Sequence, residues 1–182
     1  NREIAKKICE QEAELLGLTS KGWRDVPVHE EVLGKLAKEN APFITQWIVN
    51  IKDKEINIEA LLFRLKQRIS NRANIELKED ELGLYICSLS SKTIVYKGMV
   101  RSEILAPFYN DLKDDRFEVS YAVYHRRFST NTLPKWPLAQ PMRLLGHNGE
   151  INTLLGNINW AKATETDISS VWKHHSSDLK PI

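Results

Sequence analysis

The sequence predicts an α+β protein, and three observations support this fold class. Apolar residues recur at helical spacing between residues 4 and 16 and again between residues 58 and 69. Short apolar runs of the strand type occupy residues 84–89, 93–98 and 117–128. The 182 residues are 42% hydrophobic and 27% charged, which is a globular composition, and a chain of this length can bury its own core.

Residues 1–75 are predicted to alternate between helix and strand as an α/β portion or insertion. Apolar spacing from Ile4 to Leu15 marks the first helix, and Gly17 is a suitable residue to end it. An extended segment at 23–28 contains a proline, which favours a sheet edge. The pattern then predicts a helix around 32–37, a strand at 43–49, a helix at 58–69 and a charged hinge at 72–81.

Residues 76–182 are predicted to form a sheet-rich core. The apolar runs at 84–89 and 93–98 predict a hairpin, because Ser90, Ser91 and Lys92 between them favour a turn. A short helix at 101–112 is expected to begin at the cap residue Ser102. A long strand at 117–128 and a helix at 153–163 complete the prediction, with Trp136 and Trp160 expected to pack in the core or in loops.

Charge and cysteine content exclude several classes of function. The net charge is +2, from 26 basic and 24 acidic residues, so no field favours nucleic acid or an anionic membrane as a partner. The two cysteines are too few for a disulfide framework, and both Cys9 and Cys87 are expected to be small buried hydrophobic residues. The histidines are spread widely, so no metal site is predicted.

Two polar clusters, at residues 125–131 and 147–150, follow apolar segments and are the candidate site. Arg127 can hold a carboxylate with two hydrogen bonds, and Thr130 can add a hydroxyl. Asn148 and Gly149 favour a tight turn that can direct a side-chain amide and a backbone N–H toward a developing oxyanion. The pattern suggests acyl transfer from an amino-acid-like substrate, but surface charge and an ordinary turn explain the same residues.

Four runs of sequence resemble the amidotransferase domain of glutamate synthases, and most of all the ferredoxin-dependent branch of that family. The resemblance covers nearly the whole chain. It rests on residues 22–28 (GWRDVPV), 87–98 (CSLSSKTIVYKG), 124–132 (YHRRFSTNT) and 136–153 (WPLAQPMRLLGHNGEINT).

This resemblance implies a class II glutamine amidotransferase with the N-terminal-nucleophile hydrolase fold, an αββα sandwich that would be incomplete here. It implies that Arg127 binds the α-carboxylate of glutamine and that Thr130 contacts the substrate. It also implies that the Asn148 side-chain amide and the Gly149 backbone N–H form the oxyanion hole.

The sequence departs from the family pattern at the nucleophile. The family uses a cysteine at the mature N-terminus, whereas residue 1 is asparagine, and neither Cys9 nor Cys87 lies in that motif. The family binds the substrate amine through an aspartate, but the residues around Asp178 resemble the stretch before that motif. We therefore expect an internal part of the domain that is inactive by itself.

The resemblance implies a parent enzyme that releases ammonia from L-glutamine for the amination of 2-oxoglutarate to glutamate. FMN, an iron–sulfur cluster and the electron donor ferredoxin are implied for the remainder of the glutamate synthase chain, with no cofactor in this part. Plastid stroma or bacterial, including cyanobacterial, cytoplasm is the implied location. The alternatives are another class II amidotransferase and a non-catalytic interaction module on the same scaffold.

Overall fold

The computed structural model describes residues 2–51, 57–77, 83–128, 133–142, 154–164 and 176–179. Helix and strand are mixed there, as the predicted α+β class requires, while the layers of the sandwich stay a prediction. None of the described helices is long and apolar enough to cross a bilayer. In chain order the elements are α1 (Arg2–Leu15), β1 (Leu18–Asp25), α2 (Lys35–Glu39), β2 (Thr45–Ile51), α3 (Ile58–Glu76), α4 (Leu105–Phe108), α5 (Leu154–Thr164) and α6 (Ser176–Leu179).

The chain divides into two compact units, each assembled from separate stretches. Unit 1 comprises Asn1–Thr19, Ile51–Ser91 and Asn148–Ile182. Unit 2 comprises Ser20–Asn50 and Lys92–His147. The predicted boundary between residues 75 and 76 stays a prediction.

Unit 1 is built around the packing of α1 and α6 on α3. The helix predicted from Ile4 to Leu15 is confirmed as α1, and Gly17 follows it with a φ of 74°, which favours glycine. The Asn57 side chain caps α3 by accepting a hydrogen bond from the Ala60 N–H at 3.2 Å. The two long helices bury one apolar stripe each, formed by Ile8, Cys9 and Ala13 on α1 and by Leu62, Leu65, Ile69 and Ala73 on α3.

Helix α3 extends through part of the segment that was predicted to be a hinge. It ends at Glu76 rather than near Ile69, so the hinge prediction is wrong for residues 72–76. Ala73 lies in the buried stripe, and Arg72 pairs with Glu76 one turn later on the same helix. Charged residues therefore continue the helix, because their side chains find partners along its surface.

Unit 2 contains most of the two-stranded sheet and its own hydrophobic core. Strands β1 and β2 pair, and the rings of Trp23 and Trp47 stack with centroids 5.2 Å apart. Val28 forms an isolated antiparallel bridge with Tyr109. The strand predicted at 43–49 is confirmed as β2, shifted by two residues. The core consists of Val26, Ala37, Phe108, Tyr109 and Trp136.

The helix predicted at 101–112 is broken into short pieces. A 3₁₀ turn at Ser102–Ile104 leads into α4, and a second 3₁₀ turn spans Asn110–Lys113. Pro107 lies within α4, and proline supplies no backbone N–H for continuing a helix. The predicted cap is also wrong, because the turn begins after Arg101 and has no side-chain cap.

Three predicted strands are absent from the described residues. Residues 84–89, 93–98 and 117–128 carry no ladder pairing, so the predicted hairpin is wrong. Apolar alternation predicts a surface suited to a sheet, but a strand also needs a neighbouring segment to accept and donate its hydrogen bonds. The side chains of Tyr96 and Lys97 make tertiary hydrogen bonds instead.

The predictions for the last long helix and for the packing of Trp136 and Trp160 have different outcomes. The helix predicted at 153–163 is confirmed as α5. Trp136 is buried with 3% of its surface exposed, as predicted, whereas Trp160 on α5 is 74% exposed, contrary to the expectation that it packs.

Candidate functional site

Arg127 is the predicted site residue that the structure describes. It lies near the end of the extended segment 117–128, and its side chain is exposed. Its backbone N–H donates to Nδ1 of His125 at 3.2 Å. The imidazole ring of His125 therefore lies against the backbone at Arg127. An exposed guanidinium is free to approach an anion in solution, as the predicted carboxylate-binding role requires.

The other predicted site residues lie outside the described residues. These are Thr130, the substrate-contacting residue, and the oxyanion pair Asn148 and Gly149. Their roles, and that of Arg127, therefore stay predictions.

A short turn follows the Arg127 segment and is firmly anchored in unit 2. It is the 3₁₀ turn Trp136–Leu138, followed by the buried residue Ala139. The indole Nε1–H of Trp136 donates to the carbonyl oxygen of Ala37 at 3.1 Å. The buried indole therefore has a partner for its polar atom as well as a place in the core.

Lys97 binds this turn from the other side. Its side chain is buried, with 6% of the residue exposed, and Nζ donates to the carbonyl oxygens of Pro137 at 3.0 Å and Ala139 at 2.9 Å. The hydroxyl of Tyr109 donates to the carbonyl oxygen of Lys97 itself at 2.7 Å. An ammonium group is costly to remove from water, so these hydrogen bonds are required to keep it buried.

Gly98 allows the turn to approach closely. A Cβ atom at this position would lie 2.7 Å from Cζ3 of Trp136, which is too short for a carbon–carbon contact. The sequence pattern predicted a hairpin strand for Lys97 and Gly98 and did not reveal their contacts with the turn. Both residues lie in the run at 87–98 that resembles the glutamate synthase family. That resemblance does not identify the residues that the lysine contacts.

A polar cluster beside these residues links both strands of the sheet to the Asn110–Lys113 turn. Arg24 on β1 donates to both carboxylate oxygens of Asp111, at 2.8 and 2.5 Å, and to Gln46 on β2 at 2.7 Å. The Tyr96 hydroxyl donates to Asp111 at 2.8 Å. Burial and this bond to a carboxylate raise the pKa of Tyr96 to about 12, so its hydroxyl stays a donor at neutral pH.

The two cysteines differ in exposure. Cys9 is 3% exposed in the core of unit 1, and burial raises the pKa of its thiol to about 12. Since the thiolate is the reactive form, Cys9 is chemically inert in the folded protein. Cys87 is partly exposed, so the expectation of burial is confirmed for Cys9 alone.

Asp178 belongs to an ion-pair network in unit 1. One of its carboxylate oxygens pairs with Arg64, and the other accepts from Nη1 of Arg68 at 2.7 Å. Burial opposes ionisation of Asp178, but the two guanidinium groups outweigh it and hold the pKa below its usual range. These ion pairs link Asp178 on α6 to α3, and the omission of Asp178 from the predicted site stays a prediction.

Two of the open clefts in the described part of the chain are well enough formed to describe, and Arg127 does not line either of them. One, of about 280 Å³ in unit 1, lies beside the ion pairs of Glu12, Arg68 and Asp178. The other, of about 580 Å³ in unit 2, is largely apolar and lies between residues 32–37 and 99–104. Among the described residues, no three His, Cys, Asp or Glu side chains are grouped closely enough to hold a metal ion.

The whole chain, residues 1–182, matches the family described as class II glutamine amidotransferases. The chain therefore belongs to the class II glutamine amidotransferases, and the family inferred from the motifs is confirmed. This membership implies the N-terminal-nucleophile hydrolase fold, with which the mixture of helix and strand is consistent.

Particular relatives are ferredoxin-dependent glutamate synthases. The chain is 51% identical over 183 residues to ferredoxin-dependent glutamate synthase 2 of Synechocystis sp., covering 100% of the chain and 11% of that protein. It is 47% identical over 182 residues to the chloroplastic enzyme of Spinacia oleracea, covering 98% and 11% respectively. For the enzyme of Pyropia yezoensis the identity is 52% over 165 residues, covering 88% and 11%. The chain thus spans about a tenth of the length of these relatives.

Proposed function

We propose that the chain forms the glutamine-binding part of the amidotransferase of a ferredoxin-dependent glutamate synthase. The observation that carries this proposal is the identity of about half to such enzymes along the chain. The complete protein would release ammonia from L-glutamine, and a distant part of it would use that ammonia to convert 2-oxoglutarate to glutamate.

In the proposed site, some residues bind the substrate and others stabilise the transition state. The guanidinium of Arg127 binds the α-carboxylate of glutamine, and the hydroxyl of Thr130 contacts the substrate. When a nucleophile attacks the side-chain amide, negative charge develops on the carbonyl oxygen. The Asn148 amide and the Gly149 N–H stabilise that charge, so they act on the transition state, whereas Arg127 also acts on bound substrate.

We propose that neither cysteine in the chain is the nucleophile and that these 182 residues alone do not hydrolyse glutamine. Cys9 is buried and its pKa is raised to about 12, so almost no thiolate forms at neutral pH. Cys87 lies outside the motif that supplies the nucleophile in the family. Ammonia release from glutamine by the purified chain, above that of its Arg127→Ala variant, would disprove this proposal.

The cofactors of the complete enzyme are proposed to lie outside this chain. A cysteine-ligated iron–sulfur cluster needs four thiolates, and the chain has two cysteines, one of them inert, so these residues do not fit a cluster. FMN and ferredoxin binding are assigned to the remainder of the protein as well. We expect the protein in the plastid stroma or in a bacterial cytoplasm.

The proposed organisation of the domain follows from the same family membership. We expect residues 76–182 to contribute to the core of an αββα sandwich that carries the substrate-binding and oxyanion motifs. Residues 1–75 are then an α/β portion or insertion of the same domain.

The test is the Arg127→Ala variant of the complete protein that carries this chain. Loss of two charge-assisted hydrogen bonds to the substrate carboxylate is expected to raise KM for glutamine by about 100-fold. Activity with free ammonia in place of glutamine should be unchanged, because ammonia bypasses the amidotransferase. Glutamate formation from each nitrogen source measures both quantities.

Arg116→Ala is the matched control, since Arg116 is also an exposed arginine and pairs with its neighbour Asp114. It should alter neither activity. If Arg127→Ala leaves KM for glutamine unchanged, the proposed role of Arg127 is wrong. If the unaltered protein has no glutamine-dependent activity, the non-catalytic module becomes the better interpretation.

A further inference from the structure

We propose that Lys97 is a positioning residue for glutamine binding, because it fixes the turn at which the Arg127-bearing segment is anchored. This inference rests on the proposed function and assigns a role to a residue outside the predicted site.

The segment that carries Arg127 has a fixed point on either side. At its start, the ring of Phe117 packs edge-on against Tyr96 with centroids 5.6 Å apart. At its far side, the chain enters the buried turn at Trp136 and Ala139. Both fixed points are therefore held by neighbouring residues, Tyr96 at the first and Lys97 at the second.

The described apolar residues between these fixed points have little packing of their own. Val119, Tyr121, Val123 and Tyr124 are 56–78% exposed, and Leu133 is 82% exposed. The exposed Arg127 lies in this stretch. We therefore expect its position to depend on where the two ends are held, since the described residues of the stretch are mostly exposed and restrain it little.

Lys97 is well suited to holding the far end. Its ammonium group joins two carbonyl oxygens of the turn, those of Pro137 and Ala139, and so fixes the turn at two points. Its own backbone is fixed by the hydroxyl of Tyr109. A hydrophobic side chain at position 97 would leave two carbonyl groups without this donor, and the turn would loosen.

Loosening the turn makes it entropically more costly to hold Arg127 in its binding geometry. Because Arg127 binds the unreacting end of the substrate, the loss is expected in KM rather than in kcat. Lys97→Met in the complete protein should raise KM for glutamine about tenfold, the equivalent of one hydrogen bond, with kcat changed less than about twofold.

Two comparisons separate positioning from general damage. Lys97→Arg keeps a charged donor that can reach two carbonyl oxygens and should restore most of the affinity. Lys113→Met removes an exposed lysine from the same unit and should change nothing. Hydrogen exchange of peptides covering residues 118–142 should be faster in Lys97→Met, while peptides from α1 are unchanged.

The outcomes are decisive in each direction. A selective rise in KM that Lys97→Arg reverses supports the proposal, and an unchanged KM in folded Lys97→Met overturns it. If Lys97→Met does not fold, Lys97→Gln takes its place. Its neutral amide is a weaker donor than the ammonium group, so a smaller rise in KM is expected, and an unchanged KM still overturns the proposal. Arg127→Ala is measured in parallel: if it raises KM and the Lys97 variants do not, this inference fails while the proposed function stands.

Discussion

Arg24 and Asp111, 87 positions apart in the sequence, form a two-pronged ion pair that joins β1 to the Asn110–Lys113 turn. Both oxygens of the carboxylate accept from the same guanidinium, and one of them also accepts from Tyr96. Asp111 is 14% exposed in its side chain, whereas Arg24 is 42% exposed. The pair therefore has the geometry of a strong interaction but is partly screened by water.

Replacing Asp111 by asparagine should lower the free energy of unfolding of unit 2. The amide cannot accept two charge-assisted bonds from Arg24, and we expect a loss of about 1–2 kcal/mol after allowance for screening. Urea denaturation of the chain measures this quantity. Asp114→Asn is the control, because its local, exposed pair with Arg116 should contribute nothing measurable, and an equal effect of the two substitutions would contradict the expectation.

The same carboxylate should make the stability of the chain depend on acid. The hydrogen bonds from Arg24, followed by that from Tyr96, hold the pKa of Asp111 below its usual range despite partial burial. A carboxyl whose pKa is lower in the folded than in the unfolded state stabilises the fold above its unfolded value of about 3.9, and this contribution is lost as pH falls through the folded value.

The stability difference between the unaltered chain and Asp111→Asn should therefore be constant near neutral pH and shrink below about pH 4. Comparing the two proteins at each pH cancels the titration of every other carboxyl group. A difference that persists undiminished at pH 2.5 would show that Asp111 contributes through shape rather than charge.

Local sequence patterns predicted the helices better than the strands. The long helices α1 and α3 satisfy a periodicity that is visible in the residues themselves, since helical hydrogen bonds close within a few positions. The apolar alternation of residues 117–128 was equally clear, yet a strand depends on a distant partner that no local pattern specifies. Helix prediction also failed once, at residues 101–112, where Pro107 interrupts the helix that the pattern predicted.

The candidate site, too, was predictable where short motifs carry the information and unpredictable where distant residues make contact. Motif resemblance predicted the family, and Arg127 is exposed, whereas its role in binding glutamine stays a prediction. The burial of Lys97 and its bonds to the Pro137 and Ala139 carbonyls, 40 and 42 positions away, could not be read from the pattern. A lysine in an apolar run is indistinguishable from a solvent-facing strand residue until the packing of the chain is known.

Cys9 should resist alkylation in the folded chain. Its thiol is buried and the pKa is about 12, so iodoacetamide at pH 8 meets neither an accessible nor an ionised sulfur. Cys87, which is partly exposed, provides an internal comparison and should react first. Mass spectrometry of peptides with and without urea measures both, and modification of Cys9 at the rate of Cys87 in the native chain would contradict the assigned burial.

Glu12 should be important for the stability of unit 1. Its side chain is 7% exposed, and its carboxylate pairs with Arg68 at 2.7 Å and with Arg72 at 3.2 Å, so it links α1 to α3. Glu12→Gln removes one buried countercharge from both guanidinium groups, while Arg68 keeps Asp178 and Arg72 keeps Glu76 as partners. The loss should be about 2 kcal/mol, less than for a fully buried pair because the arginines are partly exposed.

Thermal unfolding of Glu12→Gln against Glu14→Gln provides the measurement. Glu14 lies on the exposed side of the same helix, so the two substitutions remove the same charge from α1 with different partners. Equal unfolding temperatures for the two variants would show that the pairs with Arg68 and Arg72 contribute little to stability.

Gly98→Ala should destabilise unit 2 by steric pressure alone. The added methyl group would lie 2.7 Å from Cζ3 of Trp136, and that indole cannot withdraw freely because it is buried and its Nε1–H is bonded to the Ala37 carbonyl. Overpacking of this kind costs about 1–3 kcal/mol. Gly34→Ala is the matched control, since a Cβ atom there meets nothing within 4 Å and its φ of −67° suits alanine. Urea denaturation should separate the two variants, and Gly98→Ala with the stability of Gly34→Ala would mean that the Trp136 turn is held less rigidly than its hydrogen bonds require.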